Sequence, residues 1–115
     1  MRSEEKQQFI RFKAGEHQTE LNEKILWSLH AVRKLRTDQF RKSVVEDSLK
    51  ECVLIEDYDL TEGRPLPSCL VLGFVGDVPI HAVLALDETF DRILIVTVYR
   101  PSEGRWEYGW KKRKL

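Results

Sequence analysis

At 115 residues with 42% hydrophobic content, the chain has material for one core and excludes a second. Nineteen basic side chains balance nineteen acidic ones, which excludes a nucleic-acid binder acting through bulk charge but not one with a locally basic face. The opening "MRSEEKQQ" is too polar for a signal peptide or a membrane span, so a cytoplasmic protein without membrane attachment is expected.

Residues 1–20 carry a short apolar cluster, Phe9, Ile10 and Phe12, and Gly15 interrupts any continuous helix. They read as an accessory N-terminal arm. The next stretch, "KILWSLHAVRKLRTDQF", admits two readings. Either Ile25–Trp27 is a short strand and Ser28 caps a helix, or Thr19 caps one long helix from Glu20 to Arg36. Both make 29–36 helical, with Ala31 and Leu35 on one stripe and His30, Arg33 and Lys34 on the adjacent polar one. A second helix over 42–51 repeats the pattern with Val45, Leu49 and Cys52.

Beyond residue 52 the period changes from 3.6 to 2. The runs "CVLIEDY", "SCLVLGFV", "PIHAVLAL" and "RILIVTVY" predict strands near 53–58, 69–75, 79–86 and 92–99. "VGDV" predicts a hairpin turn at Gly76 and Asp77, and "DETFD" joins the last two runs. The fold class is α+β: two helices packed on a four-stranded antiparallel sheet, forming one domain over 21–110 with a basic tail at 111–115.

Charge is uneven along the chain. Residues 24–42 hold six basic groups against one acid, 44–63 one against seven, and 100–115 six against two. The basic segment 33–42 and the tail are expected on one side, across from an acidic loop at 56–62. Cys52 and Cys69 lack metal-ligand spacing to each other or to His30 and His81, so buried, reduced thiols and no metal are expected.

His81 sits on an otherwise aliphatic strand. An unsatisfied buried polar group costs roughly 1–3 kcal/mol, so this imidazole must find a partner or reach water. The polar helical stripe bearing His30, Arg33 and Lys34 is the expected partner. Whether Thr97 and Tyr99 join His81 depends on the register after "DETFD", because a one-residue slip exchanges the faces. At the C-terminus Arg100, Arg105, Trp106, Tyr108, Trp110 and "KKRK" interleave aromatic rings with cations, the combination that grips single-stranded RNA. Of these rings, Trp106 reads as core and Trp110 as the stacking one.

A helix beginning "HA" at His30-Ala31, then Val45 and Leu49, "LVLG" with Leu72-Gly73, Gly76, "PIH" with His81, and "TVYRP" with Thr97, Tyr99 and Pro101 precede Trp106. Over residues 25–106 this order is similar to a small uncharacterised bacterial domain family. Its members look like RelE/MqsR-like ribonuclease toxins, often encoded beside a zinc-ribbon and helix-turn-helix antitoxin. The chain departs from the family in Lys34, where arginine is usual, in "TDQF", where a glycine turn is usual, and in its first 20 residues.

The resemblance implies a toxin acting as a metal-independent ribonuclease on single-stranded RNA, without cofactors. Attack by a 2′-hydroxyl needs a base, an acid for the leaving oxygen and cations for the phosphate. His30, His81, Tyr99 and Lys34 are the candidate catalytic residues. Arg33, Arg36, Arg100, Arg105, Trp110, Lys111 and Lys112 are the candidate RNA contacts. Expected partners are RNA, an antitoxin protein and a second copy of the chain. The alternative is a non-catalytic module on the same fold that binds RNA or protein.

Overall fold

The four alternating runs between residues 53 and 99 form an antiparallel meander in the computed structural model, which describes every residue except 19, 61, 62 and 64. Its strands are β2 (Val53–Tyr58), β3 (Ser68–Val75), β4 (Val78–Asp87) and β5 (Arg92–Tyr99), within one residue of the predicted bounds. Gly76 turns β3 into β4 at a left-handed φ of 62°.

Before the meander come α1 (Ser3–Glu16), β1 (Ile25–Trp27), α2 (Leu29–Asp38) and α3 (Lys42–Ser48), the last extended by a 3-10 turn at Leu49–Glu51. After it come β6 (Trp106–Glu107) and β7 (Lys112–Arg113), a small hairpin of their own. Among the described residues this makes three α-helices and a five-stranded mixed sheet in the order β1-β5-β4-β3-β2. The α+β class stands, but the count of two helices on four antiparallel strands is corrected by β1 and α1.

β1 joins the sheet because Ile25 fills the core beside β5 and pairs with Ile93 in parallel. Ser28 then ends the strand and starts α2. Its side chain accepts from the Ala31 N–H at 3.0 Å and donates to the Val96 carbonyl at 2.7 Å. The short-strand reading therefore holds, and residues 20–28 are not helical. Thr19, the alternative cap, lies outside the described residues.

The expected arm forms α1, whose Ile10 and Ala14 are buried in the main core. Gly15 does not break it, lying in the last turn. Two lysines share the buried stripe. The Lys6 amine reaches Asp57 and the carbonyls of Tyr58 (3.2 Å) and Ser68 (3.0 Å), while Lys13 reaches Glu16 and Asp91, both at 2.6 Å. Burial disfavours the Lys13 charge, but the two carboxylates outweigh it and raise the pKa. Along the outer edge of β2, Gln7 accepts from the Leu54 N–H and Arg11 donates to the Cys52 carbonyl. A Cβ at Gly73 would lie 3.1 Å from Ser48 Oγ, so the end of α3 settles on β3 only over a glycine.

The three helices cover the sheet face bearing Cys69, Val71, Ile80, Ala82, Leu84, Ile93, Ile95 and Val98. Cys52 and Cys69 are buried and free, and burial pushes both thiols up to about 12. The other sheet face carries Leu70, Leu72, His81 and Val83. Val83 pairs with Thr97 and Leu84 with Ile95, which leaves Val96 as one extra residue on β5. That bulge reverses the parity of the strand. Thr97 and Tyr99 leave the face of Ile93 and Ile95 and join His81. Among the described residues no helix is long and apolar enough to cross a membrane.

Candidate functional site

His81 is fully buried, yet it lies on the face that the helices leave uncovered. The β6–β7 hairpin covers it instead. Trp106 stands edge-on to the imidazole at 4.3 Å, and the Tyr99 ring, directly across the strand pair, at 5.2 Å. Nε2 lies 2.8 Å from the Trp110 carbonyl and Nδ1 lies 3.2 Å from the Tyr99 hydroxyl. A carbonyl only accepts, so Nε2 carries the proton and Nδ1 receives the tyrosine O–H.

Burial pulls the His81 pKa below the ordinary 6.5, against the opposing pull of the Trp110 carbonyl and Glu56. The folded protein therefore keeps the ring neutral, whereas the unfolded chain binds a proton below about pH 6.5. The stability this contributes is complete above that value and is lost as pH falls through the depressed folded pKa. Urea midpoints measured from about pH 8 to about pH 5 should fall more steeply for the wild type than for His81→Gln. Equal slopes would show that His81 does not carry the effect.

The hairpin is locally strained. Tyr108, Gly109 and Trp110 all have left-handed φ angles, of 53°, 67° and 72°. For the two non-glycine residues this costs roughly 1–2 kcal/mol each. Capture of the Trp110 carbonyl by His81 offsets part of that cost. A second anchor is Arg113, which donates from Nε and Nη2 to the two Glu56 oxygens at 2.7 and 3.1 Å and lies 4.9 Å over the Trp106 ring. Tyr58 donates to the same carboxylate at 2.8 Å. Glu56 is accordingly held below the usual carboxylate range, by Arg113 first and by Tyr58 against the effect of burial.

Between hairpin and sheet lies a cleft of about 480 Å³ lined by Tyr99, Arg100, Ser102, Arg105, Trp106 and Arg113. Three arginines thus share one cleft with Tyr99. Arg100 is fixed from behind by a bond from its Nε to the Asp38 carbonyl at 3.0 Å, with its head 4.4 Å over the Phe40 ring. Arg105 is exposed, and no ion pair to it occurs among the described residues. Burial raises the Tyr99 pKa, so the hydroxyl keeps its proton at neutral pH. Such a cleft can bind a phosphate and hold a protonated hydroxyl against it.

The candidates named from the sequence divide sharply. Tyr99, Arg100 and Arg105 line the cleft, with His81 behind Tyr99. His30 is exposed, and its Nε2 lies 3.0 Å from the Thr97 hydroxyl. Thr97 is two residues along the strand from Tyr99, roughly 7 Å. Lys34 reaches Asp38 at 3.9 Å, while Arg33 and Arg36 lie exposed on α2, and neither Lys111 nor Lys112 lines the cleft. Trp110 contributes its carbonyl.

Two expectations are corrected here. His81 does not face the polar stripe of α2, because α2 packs on the opposite sheet face and the Val96 bulge supplies Tyr99 instead. The basic tail does not stand across from the acidic block either, because Arg113 is paired with Glu56. Those two residues and Ser102 were not singled out from the sequence. The order "KKRK" did hold a signal, since on a strand only alternate members share a face with Trp106.

The third histidine is structural. His17 Nδ1 accepts the N–H groups of Lys24 (2.9 Å) and Ile25 (3.2 Å), and Nε2 lies 3.3 Å from Glu46, which also receives the Trp27 indole N–H. Both ring nitrogens are thus committed. Among the described residues no group of three His, Cys, Asp or Glu side chains could hold a metal ion. A family model described as a domain of unknown function (DUF4258) matches residues 27–100. No curated protein and no solved structure matches the chain.

Proposed function

For a chain that belongs to the DUF4258 family, a domain of unknown function, we propose a metal-independent ribonuclease acting on single-stranded RNA, of the RelE/MqsR-like toxin type. The observation that carries the reading is that Arg100, Arg105 and Arg113 line one cleft together with Tyr99. The arginines bind the non-bridging oxygens of one phosphodiester and stabilise the charge that builds on it. The RNA 2′-oxygen attacks phosphorus, the bond to the 5′-oxygen breaks, and a 2′,3′-cyclic phosphate and a 5′-hydroxyl result. Tyr99 takes the proton of the 2′-hydroxyl while passing its own to Nδ1 of His81. We assign protonation of the leaving oxygen to His30, exposed beside Thr97, a task that suits histidine as a residue type.

In this scheme His81 works through Tyr99, and Lys34 has no direct part. A toxin of this kind acts in the cytoplasm and is restrained by a cognate antitoxin. The second reading is a module that binds RNA or protein without cutting it, and one observation favours it: both His81 nitrogens are already engaged.

Purified protein incubated with end-labelled single-stranded RNA in excess chelator separates the two. Cleavage leaving cyclic phosphate ends is expected, reduced about a hundredfold in Tyr99→Phe and in Arg105→Ala. Wild-type protein that binds the RNA but never cuts it leaves the binding module. Protein that does neither removes both readings.

A further inference from the structure

We infer that Glu56 is a positioning residue of the cleft: its carboxylate grips one edge of the Arg113 guanidinium, so that the remaining N–H groups stay aimed at the bound phosphate. The inference rests on reading the cleft as a phosphate site.

Three contacts fix the guanidinium. Its Nε and Nη2 meet the two Glu56 oxygens at 2.7 and 3.1 Å, a fork that sets the plane as well as the place. The Trp106 ring lies against its face at 4.9 Å. Behind the carboxylate, the Tyr58 hydroxyl holds one oxygen at 2.8 Å, and the Glu56 side chain is only 25% exposed, so the support is itself rigid. Nη1 takes no part in the fork, and Arg113 lines the cleft together with Arg100 and Arg105. An arginine immobilised in advance loses little freedom when it binds an anion. Lysine could not replace it, having no planar fork.

Simple electrostatics predicts the opposite sign for the same carboxylate. A negative charge beside a phosphate site repels the ligand, so deleting it should tighten binding. Positioning predicts that deleting it weakens binding.

The probe is a single-stranded 2′-deoxyoligonucleotide, which has no 2′-hydroxyl and cannot be cut, titrated with the full chain at fixed salt. Glu56→Gln is expected to weaken binding about tenfold with the thermal midpoint little changed, and Glu56→Asp to recover part of the loss. Tyr58→Phe, which loosens Glu56 and also removes the contact of Tyr58 with Arg113 without altering charge, should weaken binding less. In an Arg113→Ala background, Glu56→Gln should have no further effect, because the carboxylate acts only through that guanidinium. Oligonucleotide binding that is weakened by Arg105→Ala but unchanged or tightened by Glu56→Gln overturns this inference alone. Wild-type protein that binds no oligonucleotide overturns it together with the phosphate reading of the cleft.

Discussion

Replacing His81 by alanine is expected to destabilise the fold by about 3–5 kcal/mol, a large share of the total stability of a small domain. Two costs combine. The ring fills a closed space between Tyr99 and Trp106, and its loss leaves a cavity that these neighbours only partly close. It also leaves the Tyr99 hydroxyl and the Trp110 carbonyl without their partner, at roughly 1–3 kcal/mol for each that stays unsatisfied. The hairpin, with its left-handed residues, would lose its main tie to the sheet. Urea denaturation at pH 8 measures the effect, and a loss below about 1 kcal/mol would mean that the ring is not the anchor described. His81→Gln, which can satisfy at least one of the two groups, should fall between. A loss of RNA cleavage in His81→Ala would consequently be read only beside a stability measurement, whereas Tyr99→Phe keeps the ring volume and is the cleaner probe of chemistry.

Removing residues 1–16 is expected to be more damaging still, leaving no folded monomer. Burial of Ile10 alone is worth about 1.5–3 kcal/mol, and Ala14 adds to it. Asp57 would lose Lys6, and Asp91 would lose Lys13. The truncation would also strip Gln7 and Arg11 from the outer edge of β2, exposing unpaired backbone groups along a six-residue strand. Size-exclusion chromatography and far-ultraviolet circular dichroism should show aggregate or unfolded chain. A monomer with native-like melting would show instead that α1 is dispensable.

The meander was legible because each of its strands is a run of at least six residues rich in β-branched, aliphatic or aromatic side chains, bounded by turn residues. The two elements that changed the topology were harder to read, for distinct reasons. α1 buries Lys6, Ile10, Lys13 and Ala14, which do follow helical spacing, but two of the four are lysines, so no apolar stripe marks the face. β1 is three residues long, and only Ser28 separates its apolar run from Leu29 at the start of α2.

The site was legible by residue type but not by geometry. Aromatic rings interleaved with cations pointed to residues 100–114, and of these Arg100 and Arg105 line one cleft with Tyr99. What brought His81 to Tyr99 was the Val96 bulge, which no glycine announces. What selected Arg113 over its neighbours was Glu56, distant in sequence, and a long-range pairing of that kind leaves no local trace.

The parallel pairing of β1 with β5 also bears on how the chain folds. β1 lies near the start of the chain and its ladder partner near the end, so the pairing of Ile25 with Ile93 joins segments separated by the whole β2–β4 part of the meander. The meander's own connections are local and close early, while joining β1 to β5 must first meet the entropy of closing a loop that spans most of the domain. The meander should therefore form the nucleus, with β1 and α2 docking in a later step. On the ribosome, β1 and α2 emerge early but must wait for β5 before they can dock.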